Sequence, residues 1–475
     1  MEPILAGIEQ ETGVRLKLQY VGTLDGVGRL LGGEKPDLVW FSHAKYLELQ
    51  GGLSGRILSS EKIMLSPVVL GVRRSDAERW DWKGRPVTWK DIAAKAGSGE
   101  LKYGMTNPAA SNSGMTALIG VVAALSGKGD AITAADVRAD DLKQFFKGQA
   151  LTAGSSGWLA EAFVRDQKKL NGLINYESVL LSLNRSGQLG EPLELIYPED
   201  GLVTADYPLM LLNEAQRPAY DKVVAALRSE AVQSRMMSET LRRPVNPAVK
   251  LAPEFPSSLL VELPFPASAD VIDAVLASFL NETRRPANTI FVLDVSGSME
   301  GDRLAALKAA LENLSGADKS LSGRFSTFAD RERVTLIPFS GEVQPAQTVQ
   351  IRRQSRAEDL GRVRQAAQSL ESGGDTNIYA ALRQAYQEAA QAPAGSYTSI
   401  VLMTDGKRTA GPSLNEFRDF FAAQPEAARQ VKTFTVLFGD SDVAEMKEVA
   451  ALTGGRTFDG TAQLAAAFKE IRGYQ

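Results

Sequence analysis

Apolar and polar positions follow two rhythms along this chain, one helical and one of short continuous runs. Ile4 to Thr12 reads as a helix, and Val14 to Tyr20, after the turn at Gly13, as a strand. Leu24 to Leu31 reads as a helix ended by Gly32-Gly33, and Asp37 to Phe41 as a buried strand. Lys62 to Arg73 is a long apolar run interrupted by Pro67. Leu101 to Thr106 is another strand, followed by Asn107-Pro108 and a helix from about Ser113 to Ser126. Such alternation predicts an α/β domain with parallel strands.

The texture changes where prolines recur at Pro244, Pro247, Pro253, Pro256, Pro264 and Pro266. Dense proline is poor helix material, so residues 244–285 read as a semi-rigid connector or a wrapping segment, with a helix from Asp270 to Asn281. Residues 1–243 and 286–475 are then the two domains, with Arg284-Arg285-Pro286 at the second boundary. In the last part Thr289 to Asp294, Val334 to Phe339, Ser399 to Thr404 and Thr433 to Phe438 read as strands. Helical stretches such as Asp302 to Leu314 and Ile378 to Ala390 separate them. This is the pattern of a doubly wound, Rossmann-like sheet, which binds ligands at the C-terminal ends of its strands.

Composition narrows the chemistry. The 475 residues are 44% hydrophobic and 23% charged, ordinary for a globular protein, and the net charge is −4. That balance argues against a nucleic-acid partner. No cysteine is present, which excludes disulfides, thiolate metal sites and a Cys nucleophile. With a single histidine, His43, a His-rich zinc site and any scheme needing two histidines are excluded as well. No stretch reaches the roughly 18–20 apolar residues needed to span a bilayer.

Three short segments carry candidate metal chemistry. The first buried strand of the last domain ends in Asp294-Val295-Ser296-Gly297-Ser298, a carboxylate followed by two hydroxyls at alternate positions. Gly373-Gly374-Asp375-Thr376-Asn377 opens the helix near Ile378. A second buried strand ends in Thr404-Asp405-Gly406. A doubly wound sheet gathers such strand ends, and the group then offers only oxygen donors. Asp294, Ser296, Ser298, Thr376 and Asp405 suit a hard cation, Mg²⁺ above all and Mn²⁺ less exclusively. Capping of the following helix is the plainer role for these side chains. In their order and spacing the three segments resemble the metal-ion-dependent adhesion site of von Willebrand factor A domains. The resemblance implies a site that captures an acidic side chain of a partner protein through the metal.

The first half resembles type 2 periplasmic substrate-binding proteins. The likeness rests on Glu11-Thr12-Gly13-Val14, Gly22-Thr23-Leu24, Pro36 to Ser42, Leu65 to Gly71, Asn107 to Gly114 and Ile174-Asn175-Tyr176-Glu177. It implies two α/β lobes closing over a small solute, with the chain crossing between lobes near residues 64–69 and 205–210. Thr23, Ser113, Ser155 and Ser156 stand at or just before expected helix starts, where unpaired N–H groups favour an anion. Ser42 and Tyr176 lie at strand ends, and Glu177 would meet a cationic group. Each Ser or Thr taken alone is more commonly a plain N-cap. His43 and the group Trp80, Trp82 and Trp89 read as packing residues. Proteins of this kind begin with a strand, and here none precedes Ile4. That strand and an export signal or anchor are therefore expected upstream, which makes the protein extracytoplasmic.

Together these readings predict a non-enzymatic binding protein. A metal site holds a partner's carboxylate, and a solute in the N-terminal domain gates that adhesion. A solute-binding accessory of a membrane transporter and a structural, chaperone-like scaffold are the alternatives. Gly154-Ser155-Ser156-Gly157 lacks the spacing of a nucleophile elbow, and no general base stands beside the metal residues.

Overall fold

The computed structural model describes residues 1–128, 131–256 and 260–475. The chain divides into two units, Met1–Thr283 and Arg284–Gln475.

In the second unit the apolar runs become six strands of one sheet. Their order is Gln347–Gln350, Arg333–Phe339, Ala287–Asp294, Tyr397–Thr404, Lys432–Leu437 and Thr457–Asp459. Only the Gln347–Gln350 edge runs antiparallel to its neighbour. Ala287–Asp294 is buried at every position because both faces of the sheet are covered. Ile290 and Val292 pack with Tyr379, Leu382 and Tyr386 of the helix Ile378–Ala390. Phe291, on the opposite face, meets Phe328 and Phe468, with ring centroids 5.9 and 5.7 Å away. The chain leaves this central strand first to one side and then to the other, which creates a topological switch point at the strand ends.

The first unit holds two sheets. The smaller is antiparallel, in the order Leu38–Trp40, Pro208–Leu211, Ser59–Lys62. The larger follows Arg243–Pro244, Met64–Arg73, Gly172–Tyr176, Tyr103–Thr106 and Gln149–Ala153. Leu193–Ile196 and Thr204–Ala205 also pair with its long strand, which runs through Pro67. The chain passes from the small sheet to the large one at Ile63 and returns between Ala205 and Pro208.

Val14 to Tyr20 departs from expectation and forms no strand. A strand exists through its ladder. Among the described residues, the backbone N–H groups of residues 15–21 donate to no other backbone group. The alternation survives only as burial. Val14 and Leu16 reach the core beside Ile4, Ile8 and Leu209, while Leu18 and Tyr20 are left 38% and 78% exposed.

The proline-rich segment wraps the first unit. Arg243–Pro244 pairs with Met64 and Leu65, and Phe255 packs on Leu181 and Leu241. Glu262 accepts from the N–H and Oγ1 of Thr204, both at 2.7 Å. The helix Ala269–Ser278 is held by a 2.8 Å bond from Tyr46 Oη to Asp273. His43 stacks on Phe265 at 4.7 Å, and Trp89 is a core residue that donates to the Gly201 carbonyl at 2.8 Å.

Candidate metal centre and candidate solute site

The switch point brings the three oxygen-rich segments together. Asp294 ends the central strand and is fully buried. Its Oδ1 accepts from the Ser296 N–H at 2.8 Å and its Oδ2 from Thr404 Oγ1 at 2.5 Å. Ser296 Oγ lies 3.0 Å from Ser298 Oγ, and Ser298 Oγ donates to Asp405 Oδ1 at 2.8 Å. The Gly373-Gly374 turn docks on the first loop through two backbone bonds. Gly297 N–H donates to Gly374 O at 3.0 Å, and Gly373 N–H to Val295 O at 2.8 Å. Gly374 needs its φ of 83°, a conformation costly for any residue with a Cβ. That turn sets Thr376 beside Gly406, where an added Cβ would stand 3.4 Å from Ser298 Oγ and 3.9 Å from Thr376 Oγ1.

Burial shapes the electrostatics of this cluster. Burial raises the Asp294 carboxyl above the usual carboxylate range, against hydrogen bonds from Ser296 and Thr404, and the nearby charge of Asp405 adds to the rise. Asp405, also fully buried, has a resident counter-ion that sequence reasoning missed. Arg303 Nη1 donates to Asp405 Oδ2 at 2.6 Å, and its Nη2 to Asp440 at 3.0 Å. The hydrogen bond to Asp405 is the main reason the guanidinium is held above its ordinary value. Arg303 is the second residue of a helix and Asp440 lies in a loop, and neither carries a spacing signal.

Among the described residues no three of His, Cys, Asp and Glu gather to hold a metal. The cluster relies on hydroxyls beside two carboxylates, all hard oxygen donors of a kind that fits a divalent cation.

In the first unit the expected solute residues form two linked groups. Thr23 opens a helix, and its N–H and Oγ1 both donate to Asn112 Oδ1, at 2.6 and 2.5 Å. Next to Asn112, Ser113 Oγ lies 2.8 Å from both Thr106 Oγ1 and Ser156 Oγ. Ser155 caps the helix Ser156–Asp166 through the Trp158 N–H at 3.4 Å. Asn175 joins this group to the next, since its Nδ2 donates to Ser156 O at 3.1 Å and its Oδ1 accepts from the Tyr176 N–H at 2.8 Å. The Tyr176 ring centroid lies 6.0 Å from that of Tyr207, whose N–H donates to the Ser42 carbonyl at 3.2 Å.

Glu177 does not join them. It is fully buried, both of its oxygens take bonds of 2.7 Å from Arg243, and Tyr197 Oη donates to it at 2.5 Å. An internal cation occupies the place expected for a cationic solute. Asn112, Asn175, Tyr207 and Arg242 are the neighbours that sequence reasoning did not select. The two asparagines lay within the quoted motifs, whereas Arg242 follows a helix with no distinguishing pattern.

Gly114 underlies the first group. A Cβ there would stand 2.4 Å from the Thr106 carbonyl oxygen and 2.8 Å from its Oγ1. Gly114→Ala is therefore expected to lower stability by about 1–3 kcal/mol, read by thermal denaturation.

The fold is thus that of a two-sheet α/β unit followed by a doubly wound α/β unit. The chain belongs to the bacterial extracellular solute-binding protein family, whose model matches residues 1–239. Residues 288–471 match the von Willebrand factor type A domain. These are families of binding and adhesion domains. A 132-residue segment, 26% of the chain, is 33% identical to inter-alpha-trypsin inhibitor heavy chain H4 of Sus scrofa, and the match covers 13% of that relative. Among solved structures, the periplasmic binding protein AfuA from Actinobacillus pleuropneumoniae, with fructose-6-phosphate bound, covers 59% of this chain and 94% of its own. Its identity is 16% and its TM-score 0.45. A von Willebrand factor type A protein from Catenulispora acidiphila covers 41% of this chain and 43% of its own, at 19% identity and TM-score 0.33.

Proposed function

We propose that this protein is a non-enzymatic, extracytoplasmic binding protein. Its second unit holds a partner protein's acidic side chain through a divalent cation, and its first unit binds a small solute. The observation that carries the reading is the convergence of Asp294, Ser296, Ser298, Thr376 and Asp405 from three separate loops. Asp294, Ser296, Ser298, Thr376 and Asp405 would hold Mg²⁺, or Mn²⁺ in its place. The bound ion supplies a Lewis-acidic point for an external carboxylate. The chain's own groups orient that encounter. Thr404 and the Ser296 N–H fix Asp294, Ser298 and Arg303 fix Asp405, and the Gly373-Gly374 turn presents Thr376. The match to extracellular solute-binding proteins over residues 1–239 supports this location.

Calorimetric titration of Mg²⁺ and Mn²⁺ into the full chain tests the reading. One saturable site per chain supports it. No heat and no thermal stabilisation at millimolar metal refutes it. Whether solute gates adhesion is read from metal-dependent partner affinity with and without solute, since coupling requires that affinity to change. The same match favours a second reading, a solute-binding accessory of a membrane permease, and a transport defect on deletion would select it.

A further inference from the structure

The arginines at 242 and 243 are neighbours in sequence with opposite circumstances. Arg243 is buried and gripped by both oxygens of Glu177. Arg242 is only half-buried, and among the described residues no carboxylate forms a salt bridge with it. Its Nε is shielded from solvent and makes no hydrogen bond. A shielded guanidinium edge without an acceptor is costly, and an oxyanion is the group that relieves it, because the planar fork of Nε and Nη matches carboxylate and phosphate oxygens.

Its surroundings gather aromatic and hydroxyl side chains from distant parts of the unit. The guanidinium lies 5.5 Å from the centroid of the Tyr207 ring. Tyr207 sits in the return crossing between the two sheets, with a left-handed φ of 41°, a strained conformation for a residue with a large side chain. Arg242 immediately precedes the strand Arg243–Pro244, which pairs with Met64 and Leu65 at the outward crossing. Tyr176, from the end of a strand of the large sheet, and Ser42, just past a strand of the small one with its carbonyl accepting from the Tyr207 N–H, complete the group. The return crossing and the strand ends of both sheets thus contribute to one cluster of a guanidinium, two phenols and a hydroxyl, with Arg242 next to the strand that pairs beside the outward crossing. Strand ends and sheet junctions of this kind are where small ligands bind.

We propose that Arg242, with Tyr176, Tyr207 and Ser42, is the anchor for an oxyanion group, a carboxylate or phosphate, on the solute of the first unit. The proposal rests on the reading of that unit as solute-binding and adds its charge class and anchoring residue.

The test uses the full chain, with inorganic phosphate and citrate as anionic probes and glucose and spermidine as neutral and cationic ones, followed by calorimetry and thermal shift. Binding of an anionic probe, weakened at least tenfold by Arg242→Gln and less by Tyr207→Phe, is expected. Arg242→Lys should recover part of the loss in phosphate binding. Folding of each variant is checked by its melting transition in the absence of probe. Anion binding unchanged in Arg242→Gln overturns the anchor. Binding of glucose or spermidine alone, indifferent to Arg242→Gln, overturns the oxyanion class and leaves the solute-binding reading standing. Failure of all four probes to bind overturns the anchor for these anions, and a wider solute panel bound independently of Arg242 would then separate its failure from that of the unit as a solute binder.

Discussion

Asp294→Ala is expected to abolish divalent-metal binding by this protein. The residue ends the central strand, is fully buried, and is one of two carboxylates among the five donors. Loss of a group that merely orients a ligand typically costs roughly 10–100-fold in metal affinity, so loss of a charged donor should cost at least about 100-fold. Thermal denaturation offers a second readout. Metal at 100 times its Kd stabilises the folded state by about 2.7 kcal/mol, and the variant should lose that increment entirely. Alanine also strands the Thr404 hydroxyl and the Ser296 N–H, which both donate to Asp294. Asp294→Asn is therefore the cleaner variant, keeping an acceptor while removing the charge. It should melt like the parent without metal and gain nothing when metal is added. Metal-dependent stabilisation that persists in Asp294→Asn would place the ion elsewhere.

Glu177→Gln is expected to destabilise the first unit by roughly 3–5 kcal/mol, because removing one partner of a buried pair leaves the other charge uncompensated. The side chain of Arg243 is 10% exposed and that of Glu177 0%, so solvent cannot take over the lost interaction. The signature is a lower melting temperature for the first unit, with the metal-dependent stabilisation of the second unchanged. Pairing Glu177→Gln with Arg243→Met should restore part of the loss, since a neutral pair removes the stranded charge. A contact residue for solute would behave otherwise, weakening solute binding while leaving the melting temperature alone.

The oxygen-rich segments of the proposed metal site were legible because each is a local pattern. A buried run ending in Asp294-Val295-Ser296-Gly297-Ser298 announces both the strand and the donors beyond it, and Thr404-Asp405 repeats the device. The alternation of runs and helical stretches likewise announced two α/β units. The role of Glu177 was not legible, because its partner Arg243 lies 66 residues away and only the fold brings the two charges together. Arg303 escaped notice for the same reason, being 102 residues from Asp405.

Local pattern by itself determined the strands ending at Asp294 and Thr404, the helix Ile378–Ala390 and the oxygen-bearing side chains at their ends. Apolar runs and turn glycines suffice there, since a continuous apolar run bounded by turns reads as a strand buried on both faces. The tertiary structure alone decided whether Val14 to Tyr20 became a strand, because a ladder needs a neighbour and alternation cannot supply one. It also decided which charges are spent on one another, as Glu177 and Arg243 are, and which, like the half-buried Arg242, form no salt bridge among the described residues. Charge pairing depends on distances across the folded chain, and those exist only once the sheets are assembled.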